Sequence, residues 1–165
     1  MLISAVEELK KENLNFHITV VGKKPFFSQS HISANLNELF TFRYKQTYID
    51  LYNSVYQSDF IIINLDPDNV DDIKFRQTRV TGSSQLVYGF LKPALINKNF
   101  ANFYYFNSSN SLIYENSNLS KVMKYAINMS NKKYKKLKDN LLLLSKEIYL
   151  SSLNNVKKTL KQITR

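Results

Sequence analysis

Three short apolar runs, at residues 16–21 (FHITVV), 60–65 (FIIINL) and 94–96 (ALI), each follow a stretch whose apolar residues recur at helical spacing. This helix-then-strand cycle constrains the chain more than any other feature. Short strands separated by helices are satisfied by parallel pairing through right-handed crossovers, so the pattern predicts an α/β fold, a Rossmann-like parallel sheet flanked by helices.

The remaining elements fit the same cycle. Leu2, Ile3, Val6 and Leu9 predict an opening amphipathic helix, broken at Asn13 and Asn15. The strand at 16–21 ends at Gly22 and leads into a loop over 23–29. A helix over 31–39, an aromatic strand over 39–44 and a helix carrying Tyr48, Leu51, Tyr52 and Val55 precede the strand at 60–65. After a polar loop at 66–74, Thr81-Gly82-Ser83-Ser84 is a helix-start signal, and the helix runs through 85–91 until Pro93. A strand at 94–96, a helical turn at 100–104, a strand at 112–114 and a helix at 119–129 follow.

The tail carries two apolar stripes: Leu137, Leu141, Leu144 and Ile148, then Leu153, Val156, Leu160 and Ile163. They predict two C-terminal basic amphipathic helices. The expected organisation is a Rossmann-like domain over 1–131 with a helical tail over 132–165 packed on it.

A formal charge of +10 first suggests a polyanion partner, but its distribution changes that expectation. Residues 132–165 hold ten basic and two acidic side chains, so the first four-fifths of the chain carries only +2. Basic residues interleaved with exposed aromatics across one face, as nucleic acid requires, are not evident, and no nucleic-acid partner is expected. The absence of Cys removes thiolate metal sites and cysteine chemistry, and neither His17 nor His31 has a second ligand at zinc spacing, so no metal is expected. No Walker loop, Gly-x-Gly-x-x-Gly fingerprint or Ser-His-Asp arrangement occurs, and no cofactor is expected. The longest apolar runs fall far short of a bilayer span, and the start lacks a signal-peptide pattern, which predicts a cytoplasmic location.

Three segments in order carry a resemblance: LISAVEELKKENLNFHITVVG at 2–22, YNSVYQSDFIIINLD at 52–66, and VTGSSQLVYGFLKPALI at 80–96. Together they resemble the C-terminal, nucleotide-sugar-binding domain of GT-B glycosyltransferases, with Lys92-Pro93-Ala94-Leu95-Ile96 matching the end of the donor-site helix and its following strand. The resemblance spans nearly the whole chain and implies a nucleotide-diphosphate sugar as ligand. Two departures accompany it. Retaining members carry paired Glu at the donor site, whereas no Asp or Glu lies between Phe75 and Ile96. The family's acceptor domain and first strand are also absent from this sequence, which implies a C-terminal fragment, with pairing to a separate acceptor domain or self-association.

Sugar transfer needs positive electrostatics where the leaving diphosphate gathers charge. Thr81, Gly82, Ser83, Ser84 and Gln85 offer amides, hydroxyls and a helix N-terminus for this task, and Arg79 a guanidinium. The same residues also suit an ordinary helix cap. Asp66 stands where open α/β sheets bind ligands, although Asp-Pro-Asp is also turn chemistry. Arg76, Lys23 and Lys24 could meet phosphate or solvent, and Phe100, Phe103, Tyr104, Tyr105, Phe106 and Tyr44 could stack on a base or fill a core. No catalytic residue is identifiable.

The expected function is the donor-binding half of a glycosyltransferase acting on a polysaccharide or glycolipid, incomplete as a catalyst, with its basic tail at the inner face of a membrane. The alternative is a non-catalytic flavodoxin-like α/β binding module whose basic helices engage a membrane or a partner protein.

Overall fold

The computed structural model describes residues 1–22, 32–76 and 79–163. Helix α1 (Leu2–Lys11) buries Ala5, Val6 and Leu9 at the spacing the sequence predicts. Strand β1 (Ile18–Gly22) ends on Gly22 at φ 152°, a backbone setting that costs glycine nothing. A 3-10 helix over Ala34–Leu39 stands where an α-helix is predicted, because Asn35 and Asn37 are poor helix formers and only Leu36 is buried. It leads into β2 (Phe40–Tyr44).

Helix α2 (Tyr48–Gln57) opens with a capping box in which Thr47 Oγ1 accepts the Asp50 amide at 3.2 Å. Then come β3 (Ile61–Ile63), the short α3 (Val70–Ile73) within the predicted polar loop, and α4 (Gly82–Phe90). Leu91 ends α4 in the left-handed conformation, two residues before Pro93, and β4 (Ala94–Asn97) follows. Next are α5 (Lys98–Ala101), β5 (Leu112–Tyr114), α6 (Leu119–Ile127) and α7 (Asn131–Ile163).

All strand pairing described is parallel. However, the strands form two sheets rather than one: β1 pairs with β2, Ile18 opposite Phe40, while β3, β4 and β5 pair in that order, with Ile61 opposite Ala94 and Leu95 opposite Leu112. Strands β1 and β3 are not hydrogen-bonded neighbours.

Alternation along β4 divides the core. Leu95 joins Val6, Leu9, Leu36, Leu119 and Met123 on one face, under α1 and α6. Ala94 and Ile96 join Ile63, Val87, Phe100 and Phe106 on the other, under α4 and α5. Helix α7 reaches both clusters, through Leu137 and Leu141. The architecture is helix, sheet, helix in three layers.

The tail departs from the two predicted helices: it is one continuous helix of 33 residues. Nothing between the two stripes breaks a helix, since neither Gly nor Pro occurs there. The five-residue step from Ile148 to Leu153 instead rotates the apolar stripe by roughly 140° about the same axis. The first stripe therefore meets the core, and Val156, Leu160 and Ile163 face solvent.

Truncating the two stripes separates their roles. Leu137→Ala is expected to cost about 2–4 kcal/mol by the usual cavity rule, and Val156→Ala less than about 0.5 kcal/mol. Urea denaturation of the two variants measures the difference.

Candidate functional site

In a parallel sheet a crossover helix runs back against its strands, so α4 starts at the carboxyl ends of β3 and β4, the edge where open α/β sheets take ligands. The side chains predicted there have distinct local duties. Thr81 Oγ1 accepts the Ser84 amide at 3.1 Å, Ser84 Oγ donates to the Thr81 carbonyl at 2.8 Å, and both residues are buried. Their hydroxyls are the helix cap. The amides of Gly82 and Ser83 belong to the first turn, which has no intrahelical acceptors. Gly82 is exposed, and beyond its chain neighbours and its own helix backbone no described atom lies within 4 Å of where its Cβ would stand.

Ser83 is half-buried beside a broad groove, whereas Gln85 and Arg79 face solvent. The Arg79 amide donates to the Lys74 carbonyl at 3.1 Å. Lys74, and to a lesser degree the Arg79 guanidinium, hold the Asp71 carboxyl below its usual range. Asp66 serves its own loop: Oδ1 accepts the Asp68 amide at 3.0 Å, and its amide donates to Asp72 Oδ2 at 2.8 Å. The Arg76 guanidinium lies over the Phe100 ring at 5.3 Å. The Tyr104 hydroxyl donates to the carbonyls of Phe75, at 2.9 Å, and Arg79, at 3.3 Å. Together these contacts tie the approach to α4 to the segment that follows β4.

That segment opens a polar pocket of about 320 Å³ lined by Pro67, Asp68, Asn97, Lys98, Glu115 and Asn116 among others. Asn97 is buried, donates to Asn116 Oδ1 at 2.7 Å and accepts the Asn99 amide at 2.9 Å. Lys98 pairs with Glu115 at 2.6 Å, and Asn116 reaches Asp68 Oδ2 at 3.4 Å. None of the residues singled out from sequence lines this pocket, although Asp66 is adjacent in the chain. Its own residues were within reach of the strand-end rule, because Asn97 and Glu115 directly follow the predicted strands at 94–96 and 112–114.

The aromatic cluster divides. Phe100, Tyr104 and Phe106 are core, Phe103 and Tyr105 face outward, and the Tyr44 ring lies tilted against Phe42 with centroids 5.9 Å apart. His17 Nε2 lies 2.8 Å from Thr41 Oγ1, a contact across β1 and β2, and Lys23, Lys24 and His31 lie outside the described residues. Among the described residues no cluster of three or more His, Asp or Glu is placed to hold a metal ion. No helix described is long and apolar enough to cross a membrane. No family model matches the chain, and no curated protein matches it.

Two phenols near this edge are pushed well above their ordinary value of 10.0. For Tyr88 the cause is burial, reinforced by Tyr105 and Tyr104; for Tyr114 it is burial and then the Asp66 carboxylate. The Tyr88 hydroxyl donates to the Tyr104 carbonyl. Folding therefore favours the protonated phenols. Their contribution is complete below pH 10, and it is lost as the pH rises from there towards the folded-state values, because the unfolded chain releases protons first. The urea midpoint should be insensitive to these groups at neutral pH and fall in alkali, and Tyr88→Phe should make the alkaline fall shallower.

Proposed function

We propose that this chain is a nucleotide-sugar-binding domain, the donor half of a glycosyltransferase that acts on a polysaccharide or glycolipid. The observation that carries it is the gathering, at one carboxyl edge of parallel strands, of an open helix N-terminus and an amide-rich polar pocket. The diphosphate would sit over the Gly82 and Ser83 amides, with Arg79 adding charge from the approach loop. The buried, oriented Asn97 and the carboxylates of Asp68 and Glu115 supply the acceptors and donors that sugar or ribose hydroxyls require. These groups take the place of the carboxylate missing between Phe75 and Ile96. The catalytic base for the acceptor hydroxyl would come from an acceptor domain, and the residues here serve donor binding.

The alternative, a non-catalytic module working through its basic helix, draws on the exposed Val156, Leu160 and Ile163, next to the half-buried Leu153, beside Lys157, Lys158 and Lys161. In the donor-half reading the same surface holds the protein peripherally at the anionic cytoplasmic face of a membrane, near a lipid-linked acceptor.

Titration of the isotopically labelled chain with UDP, GDP and their sugar conjugates is expected to shift amide signals at 79–86 and the side-chain amides of Asn97 and Asn116. Silence at those positions, with the spectrum otherwise that of a folded chain, refutes the donor reading. Gly82→Ala should leave stability unchanged or raised by about 0.4–1 kcal/mol, since a methyl there meets no atom. It should nonetheless weaken nucleotide affinity about tenfold by obstructing the helix amides, as measured by calorimetry.

A further inference from the structure

Among the described residues both β1 and β3 are edge strands, β1 paired with β2 and β3 with β4. Residues of both strands line one groove of about 930 Å³. In β3 the Ile61 amide is spent on the Pro93 carbonyl at 3.2 Å, on the β4 side. Because successive residues of a strand direct their backbone groups to opposite edges, the N–H and C=O of Ile62 are left facing the groove. On one side it is floored by Leu2, Met123 and Ile127, from α1 and α6, and on the other by Leu51, Val55 and Leu86, from α2 and α4. Strand residues stand on either hand, and helices that bring both apolar side chains and polar ones such as Ser54, Ser58 and Ser83 lie above and below.

We propose that this groove is the docking site for one extended β-strand from another polypeptide, which joins the two sheets into a continuous one. The surroundings specify its chemistry. Both backbone edges need hydrogen-bond partners, which excludes proline in the strand's centre. Leu2, Met123 and Ile127 offer apolar surface to one face of such a strand, and Leu51, Val55 and Leu86, beside Ser54, Ser58 and Ser83, to the other, so the strand carries β-branched or other apolar side chains at consecutive positions rather than an alternating charged pattern. A second copy of this chain fits less well. Among the described residues the apolar extended segments are β1 to β5, already paired, and a copy would have to give one up.

The probe is a synthetic peptide with six consecutive Val and Ile residues between uncharged polar ends, added to the full chain. The expected results are slowed amide hydrogen exchange at Ile62 and along β1, a Tm that rises with peptide concentration, and a one-to-one complex in sedimentation. Two control peptides, one with a central Pro and one with Asp at alternate positions, should bind at least about tenfold more weakly. Leu86→Arg should weaken the parent peptide to a similar degree, and because the controls ask the same question of the unaltered chain, misfolding of that variant cannot decide the outcome. Exchange at Ile62 unchanged by the parent peptide, equal binding of all three peptides, or a homodimer that already protects Ile62 without peptide would each overturn the proposal. Nucleotide titration is also read at Asn97 and Asn116, which do not line this groove, so failure there leaves this test intact.

Discussion

Parallel pairing of β4 between β3 and β5 is the interaction on which the rest of the molecule depends. Because side chains alternate along β4, its four buried residues must be covered from both sides, and a strand this short cannot bury itself. The helices are where they are for that reason: α1 and α6 cover Leu95, while α4 and α5 cover Ala94 and Ile96. The carboxyl-edge loops inherit their positions from the same pairing. Asp68, Asn97 and Glu115 are far apart in sequence and share a pocket because three parallel strands end side by side.

The strands and helices were legible where a single local period decided them. Ile61–Ile63, Ala94–Asn97 and Leu112–Tyr114 lie within or one residue beyond the predicted runs, and α1, α2 and α6 follow their apolar spacing. Two features escaped because they depend on comparison across elements. A continuous α7 and a pair of tail helices share the same local periodicity, and only the rotation of the stripe between Ile148 and Leu153 distinguishes a helix that leaves its domain from one that turns back. The division of the sheet is likewise invisible locally, since whether β1 and β3 meet is a matter of tertiary placement.

The candidate site shows the same asymmetry. Thr81 and Ser84 were recognisable as helix-start residues, and they are spent on that start, their hydroxyls closed on each other's backbone. What they leave open is a pair of main-chain amides, which any sequence could have supplied. Asp66 similarly stabilises its loop rather than projecting from it. The polar groups that line the pocket come instead from asparagines and from the Lys98–Glu115 pair, and asparagine and lysine are so frequent in this chain that composition masks them.

The divided sheet and the long helix bear on each other. Two- and three-stranded parallel sheets are small for independent stability, and each leaves edges that invite pairing with other chains. Here they are held in one body from the outside. Phe40 of β2 shares a cluster with Leu95 of β4, the Tyr134 hydroxyl donates to the Asp59 carbonyl at 2.8 Å just ahead of β3, and the Tyr134 ring meets Phe60 edge-on at 5.3 Å. Helix α7 thus braces the chain at the very point where β3 has no neighbour on its groove side. Backbone groups facing an apolar groove without partners are costly, and the side-chain packing around them offsets that cost without removing it. A strand entering such a groove would supply the missing partners, so the cost of leaving those backbone groups unpaired is itself a driving force for its binding.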